Sequence, residues 1–308
     1  MESPSRRVPK ISEGKINCKE DANLKLTVLV DNNTILSNNP HFQDRYFLSE
    51  PGFSIFIEAD GKKVLFDTGH TGIFLQNSEK MNLDLSDLDY LVLSHGHIDH
   101  TGGLKSLIDF YQNQGKTNLK DKPTLIAHPE CFLSKIDSPW GEIGCGIPEA
   151  EITCHFQLQL SREPLWLTEN LVFLGEIERS NDFENLTPLG KVYKNTEGQD
   201  DYILDDSALV YKGSKGLIII TGCSHAGICN ITKYAQKVCR DERVIDIIGG
   251  LHLINPGPIQ MEKTKEFLKN VAPQTIRACH CTSLRPKLAL AESLNVEEVG
   301  TGSQLEYY

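Results

Sequence analysis

At 308 residues the chain can bury a substantial core, and 39% hydrophobic with 24% charged residues is ordinary for a soluble globular protein. A net charge of −11 without any Lys/Arg cluster argues against nucleic acid, whose binders carry a basic footprint. No apolar run reaches the roughly 18 residues of a membrane span, so the expected partner is a small-molecule substrate; nothing in the sequence speaks to oligomeric state.

Met1 to Glu20 carries Arg6, Arg7, Lys10 and Lys15 with no apolar segment behind them. This argues against a secretory signal and predicts a polar, mobile tail over residues 1–22 ahead of a single domain over 23–308. The nine cysteines are an odd number in a chain too long to need disulfide stapling, and they read as the reduced thiols of a cytoplasmic protein. Cys279 and Cys281 alternate, and no paired C-x-x-C supports a zinc ribbon.

In chain order, β-branched and apolar residues predict strands at Leu24 to Val30 and Phe53 to Ala59, with a polar loop from Asp31 to Ser49 between them. Asp60-Gly61 predicts a hairpin turn into Lys63 to Phe66, which ends at Asp67-Thr68-Gly69. Leu85 to Leu88 reads as a turn or short helical piece, and Tyr90 to Leu93 as a strand. Thr101 to Gln112 has helical spacing, with Leu104, Leu107, Ile108 and Tyr111 on one face. The middle is Pro- and Gly-rich: strands are predicted at Thr124 to Ala127 and Leu171 to Leu174, an irregular insertion at Trp140 to Pro148, and a loop at Asp182 to Asp201. Order returns with strands at Ser207 to Tyr211, Leu217 to Ile220, Val244 to Ile248 and Gln274 to Ala278, and helices at Ile228 to Arg240 and Gln260 to Asn270. A β-rich pattern with intercalated helices thus occurs twice, which predicts an α/β chain of two packed sheets with helices outside.

The chemistry concentrates in Ser94-His95-Gly96-His97-Ile98-Asp99-His100-Thr101-Gly102-Gly103, at a strand-to-helix junction. Imidazole and carboxylate suit one or two divalent ions, zinc first, manganese or iron otherwise. In an extended loop His95 and His97 project to one side and can share one ion, while Asp99 and His100, where the chain turns into a helix, can address a second. Gly96 permits close backbone approach, and Gly102-Gly103 tight packing of the helix start.

With these residues the chain resembles the metallo-β-lactamase superfamily, whose H-x-H-x-D-H signature is matched by His95, His97, Asp99 and His100. The resemblance implies an αββα sandwich with metal ions at an open edge between two mixed sheets. It also implies that Asp67 orients a ligand histidine from behind, that Cys223 lies between the ions, and that His280 binds the second. Gly222-Cys223-Ser224-His225-Ala226-Gly227-Ile228 is similar to a narrower group, which includes an archaeal dihydropterin-linked synthase and many metal-dependent hydrolases. Asp205-Asp206-Ser207-Ala208-Leu209, Gly249-Gly250-Leu251-His252-Leu253 and Cys279-His280-Cys281-Thr282 extend the similarity over most of the chain.

The general pattern implies one more histidine on the first ion. His128 and His155 lie in the right interval but lack a strand-end context, so His225 is the candidate, with Glu176 as a carboxylate alternative. Cys223 could bind or bridge as thiolate, support the ligands from behind, or simply be a small buried residue. His252 is a candidate general acid or substrate contact, with a packed loop histidine as the alternative. Asp99, besides binding metal, could orient an attacking hydroxide. The implied activity is metal-dependent hydrolysis of a small ester or phosphoester. The alternative that the resemblance implies is the joining of a pterin methyl diphosphate to an arylamine with loss of diphosphate, Ser138 to Pro148 being the candidate for part of a lid.

Overall fold

The computed structural model describes residues 23–35, 46–116, 118–194 and 196–308. The expected tail at 1–22 and residues 36–45 of the loop Asp31 to Ser49 lie outside the described residues.

Three strands build the start of the first sheet by simple hairpin logic. Ser54–Ala59 and Lys62–Phe66 pair antiparallel across Asp60-Gly61, whose φ values of 50° and 76° are those of a type I′ turn. Leu24–Val30 pairs with Ser54–Ala59 on one side and with the C-terminal strand Gln304–Tyr307 on the other. Beyond Lys62–Phe66 the sheet turns parallel, adding Tyr90–Val92, Thr124–Ala127 and Gln157–Leu160 to make seven strands. Parallel pairing needs crossover segments. Ile73–Lys80, Leu104–Asn113 and Glu149–His155 supply helices for them, and Leu104, Leu107, Ile108 and Ile152 pack there with Leu65, Leu91 and Leu125.

The second sheet has six strands in the order Thr275–Cys279, Val244–Gly250, Gly216–Thr221, Ala208–Gly213, Leu171–Phe173 and Leu165–Trp166. It too changes from antiparallel to parallel, at Gly216–Thr221. Ile228–Cys239 and Pro258–Val271 cross over on its outer face, packing Ile231, Ala235 and Leu268 with Val210, Ile219, Ile247 and Ile276. The inner faces of the two sheets share one core: Leu26, Ile57, Phe66, Val92 and Ile126 of the first meet Phe173, Leu209, Ile220 and Ile248 of the second. Four layers result, helix, sheet, sheet, helix, as the repeated pattern predicts.

Several elements differ from expectation. The helix read from Thr101 is two, Ile98–Thr101 and Leu104–Asn113, because Gly102 and Gly103 press on the carbonyls of His70 and Thr68, where a Cβ would lie 2.2 and 2.3 Å from oxygen. The loop Asp182 to Asp201 contains a hairpin, Lys191–Lys194 with Glu197–Asp200, which joins Ser134–Asp137 and Gly141–Glu142 in a small four-stranded sheet. The segment Ser138 to Pro148 therefore belongs partly to this sheet, and Ile143 accepts a backbone hydrogen bond from Ile98 at 2.9 Å.

Candidate metal centre

The parallel strands of both sheets end on the same rim, so the residues just past their C-terminal ends converge there. Open α/β sheets place ligands at such ends. Lys62–Phe66 delivers Asp67; Tyr90–Val92 delivers Ser94, His95 and His97; Gly216–Thr221 delivers Cys223 and His225; Val244–Gly250 delivers His252; and Thr275–Cys279 delivers His280. Three of the delivered residues hold left-handed backbone without being glycine, Asp67 (φ 60°), His252 (50°) and His280 (49°), as does Ser224 (63°) between Cys223 and His225. Strain of this kind collects at functional sites because only the surrounding packing holds it.

The ligand loop is clamped at Gly96. Its N–H donates to Asp205 Oδ2 at 2.7 Å, and a Cβ there would stand 2.0 Å from the Cys131 carbonyl oxygen. Only glycine lets the loop lie this close. Asp205 is in turn held by the ammonium of Lys135, 3.0 Å from Oδ1 and fully buried with it. Burial alone would lower Lys135, but Asp205 and Asp201 outweigh it and raise its pKa above the ordinary lysine value.

Two donor groups share one cysteine. In the first, His100 Nε2, His280 Nε2 and Cys223 Sγ are each 3.2 Å from one another, and Asp99 Oδ2 lies 3.3 Å from His280 Nε2 and 3.7 Å from His100 Nε2. Ligands 2.0–2.3 Å from a tetrahedral ion stand about 3.3–3.8 Å apart, so this set has nearly the spacing such an ion imposes. In the second, His95, Cys223 and His225 offer donor atoms within 4.8 Å of one another, as do His95, His97 and Asp99. His95 Nε2 and His97 Nδ1 face each other at 3.0 Å, and the His225 ring lies 4.8 Å from each of those rings. The buried Nε2 of His225 has no hydrogen-bond partner among the described residues. A polar atom buried without a partner is costly, and an ion coordinated there removes the cost.

Groups behind the donors set their orientation. Asp67 Oδ2 stands 2.7 Å from His100 Nδ1 and accepts the Ser94 hydroxyl at 2.6 Å, while its Oδ1 accepts the Ser94 N–H at 2.7 Å. With Nδ1–H held, His100 presents Nε2 to the donor group. His280 is fixed through its N–H to Asp31 Oδ1 (2.7 Å) and through Nδ1 against Asn32 Oδ1 (3.0 Å). Burial, together with neighbouring imidazoles, drives His95 and His225 well below the ordinary histidine value; burial also brings His97 down to about 4. Neutral imidazole is the form that binds metal. His100 differs: burial lowers it, but Asp99 and Asp67 outweigh that and raise it to about 9.

His95, His97, Asp99, His100, Cys223, His225 and His280 are thus brought together, with Asp67 behind His100. His252 lies beside them, its ring 4.2 Å from that of His225 and its buried Nδ1 without a partner. His128 and Glu176 go elsewhere: they pair at 3.2 Å, and Arg162 bonds to Glu176 and Glu130. His155 ends the helix Glu149–His155 and joins none of the donor groups. Sequence reading missed Asp31, Lys135, Asp205 as the support of Gly96, and Cys281, whose sulfur accepts the His252 N–H at 3.3 Å.

A four-layer sandwich with histidine, carboxylate and thiol donors at one rim defines a class, and comparison supplies the family. The model of the metallo-beta-lactamase superfamily matches residues 49–160. The uncharacterised protein MJ0448 of Methanocaldococcus jannaschii is 30% identical over 274 residues, 88% of this chain and 95% of its own. The 7,8-dihydropterin-6-methyl-4-(β-D-ribofuranosyl)-aminobenzene-5′-phosphate synthase of the same organism is 32% identical over 266 residues, 82% of this chain and 86% of its own. Among solved structures Tm1679, described as a metal-dependent hydrolase of the β-lactamase superfamily, superposes with a TM-score of 0.76 at 26% identity, covering 92% of this chain and 98% of that one. The chain belongs to the metallo-β-lactamase superfamily.

Proposed function

We propose that this chain is a metal-dependent hydrolase of a small ester or phosphoester. In this reading His95, His97 and His225 hold one divalent ion, Asp99, His100 and His280 a second, and Cys223 lies between them. The observation that carries it is the convergence of His100 Nε2, His280 Nε2, Cys223 Sγ and Asp99 Oδ2 at 3.2–3.7 Å. Nitrogen and sulfur donors favour zinc, with manganese or iron as alternatives. When bound, such ions acidify a water toward neutral pH and balance negative charge on a substrate oxygen.

The chain's own groups do the rest. Asp67 and Asn32 fix the tautomers of His100 and His280, so that both present Nε2. Asp99, partly exposed at the mouth, is placed to orient the attacking oxygen. His252, beside His225 with a free Nδ1, is placed to hold the proton that a leaving group takes. Similarity to a protein described as a metal-dependent hydrolase supports the reading. Elemental analysis of untagged protein and a panel of phosphomonoesters, phosphodiesters and carboxylic esters, with and without chelator, test it. Close to two ions per chain and turnover that vanishes with them are expected; turnover that survives complete metal loss overturns it.

A second reading, transfer with release of diphosphate, rests on the 32% identity with the synthase. It predicts diphosphate release from a pterin methyl diphosphate only when an arylamine is present. Release to water alone returns the case to hydrolysis.

A further inference from the structure

The mouth of the metal centre does not end at the donors. A cavity of about 490 Å³ containing His97, Asp99, Cys223 and His280 also has Leu189, His225, His252 and Ile254 in its wall. The last four residues also line a second cavity of about 510 Å³, so the two voids adjoin at the His225–His252 pair. The second cavity is walled by Phe183, Leu186, Ile203 and Ile259 with the shared Leu189 and Ile254. Three of these large apolar side chains are exposed for no structural gain, Leu186 at 62%, Ile254 at 61% and Ile259 at 70%. Large apolar groups clustered at the open edge of a cleft mark a binding surface.

The charge inventory is one-sided. Among the described residues no Lys or Arg lines either cavity. Two cations beside the second cavity are both engaged within the chain: Lys263 by Asp182 at 2.7 Å and over the Phe183 ring, and Arg179 by Asn185 Oδ1 at 3.0 Å and the Ile203 carbonyl at 2.8 Å. Two amides at the second cavity, Asn255 and Gln260, form no side-chain hydrogen bond among the described residues and offer both a donor and an acceptor. A second anionic group bound there would lose its water without a cation to replace it, which is costly. An uncharged ring bearing amide-like heteroatoms would bury apolar surface and find polar edges.

We infer that the second cavity is the subsite for the body of the substrate, and that it takes an uncharged, ring-bearing moiety while the reacting group lies over the donor cluster. The residues setting this preference are Phe183, Leu186, Ile203, Ile254 and Ile259, carried on the segments 182–203 and 251–260. The inference rests on the metal-enzyme reading for its orientation, in either the hydrolytic or the transfer form.

The test uses 2-naphthamide, an uncharged bicyclic probe without a metal-binding anion, titrated into the full, metal-loaded chain labelled at isoleucine and leucine methyls. The expected result is saturable shifts at Ile203, Ile254, Ile259 and Leu186, and roughly tenfold weaker binding in the Ile254→Asp/Ile259→Asp variant with its metal content unchanged. Naphthalene-2,7-disulfonate should bind at least about tenfold more weakly at these methyls. The opposite end of the sandwich is an internal control, because a cavity of about 730 Å³ there is lined by Ile218 and Ile245. Shifts at Ile218 and Ile245 instead, equal affinity for the disulfonate, or unaltered affinity in the double variant overturns the inference. Failure of the metal-enzyme reading would show separately, as missing ions or missing turnover, since the amide probe needs neither.

Discussion

The carboxylate of Asp67 stands 2.7 Å from Nδ1 of His100, and both side chains are closed off from solvent. The same carboxylate takes both the hydroxyl and the N–H of Ser94, one residue before His95, so one buried group positions the ligand loop at two points. Removing it takes the carboxylate from the buried Ser94 N–H and His100 Nδ1, and leaves the Ser94 hydroxyl only His95 Nδ1, 2.9 Å away. Asp67→Ala is expected to weaken binding of the second ion about 10- to 100-fold, the usual effect of losing a group behind a metal ligand. Asp67→Asn, which keeps one good acceptor, should fall between. Competition against a chromophoric chelator measures both, and unchanged affinity in the alanine variant would rule out this role for Asp67.

His225 and His128 give opposite expectations from the same substitution. His225 Nε2 is buried, unpartnered and grouped with His95 and Cys223, whereas His128 pairs with Glu176. His225→Ala should lower the metal load from about two ions to about one, and His128→Ala should leave it unchanged. Elemental analysis of the purified variants decides; a full load in His225→Ala would return the search for the missing ligand to other residues.

How much of this was legible depended on whether a segment's partners are near in sequence. Gly216–Thr221, buried along its whole length, reads as a core strand from its isoleucines alone. His95 to His100 is self-contained for the same reason, with four donors in six residues. Ser134–Asp137 is the contrary case: its one fully buried side chain is Lys135, and the carboxylate that makes that tolerable, Asp205, is 70 residues away. Glu197–Asp200 is exposed at every position, and Gln304–Tyr307 is an edge strand, so neither carries an apolar run to read. The donor histidines that converge at the rim are legible as strand-end residues. The groups that support them, Asp31 and Asp205, look like ordinary loop carboxylates until the chain is folded. Part of the wall of the second cavity, Phe183, Leu186 and Leu189, comes from Asp182 to Asp201, which reads as a polar loop because these apolar residues have no periodic neighbours.

Lys135 makes a quantitative case. Its ammonium is buried between Asp205 at 3.0 Å and Asp201 at 3.7 Å, and Asp205 in turn holds Gly96. Lys135→Met strands two carboxylates in the interior and should cost about 3–5 kcal/mol of stability. Adding Asp205→Asn removes one of the stranded charges while leaving an oxygen for the Gly96 N–H, so the double variant should recover part of the loss. The raised pKa of Lys135 means that the folded state holds its proton more tightly than the unfolded chain does. Its stabilisation is therefore complete below the ordinary lysine value of about 10.4 and fades only as pH climbs through the higher folded value. Denaturant melts of the three proteins at pH 7 and pH 9 check both points; a double variant no better than Lys135→Met would show that the pair does not act as a unit.

Glu184 closes the helix that follows the His225 loop. Its two carboxylate oxygens accept the N–H groups of Cys229 and Asn230, each at 2.9 Å, in the first turn of Ile228–Cys239, and Asn181 donates to Oε2 at 2.7 Å. A carboxylate thus caps the helix from more than forty residues away, where the residue before the helix, Gly227, has no side chain to do it. The packing is close enough to fix that glycine: its φ is 98°, and a Cβ there would lie 2.3 Å from the Glu184 carboxyl carbon. Loss of a cap costs about 0.5–2 kcal/mol, and burial of the freed N–H groups places Glu184→Ala toward the upper end. Glu184→Gln turns an NH₂ toward one of the two backbone donors, so it should be destabilised too, though less. For a chain of this size that is roughly 1.5–2 °C per kcal/mol in melting temperature. Because the capped turn begins two residues after Ala226, the alanine variant should also hold its His225-bound ion less tightly. Thermal melts with and without added zinc separate the two effects. If the alanine variant melts with the wild type in chelator, Glu184 is not the cap that the hydrogen bonds describe.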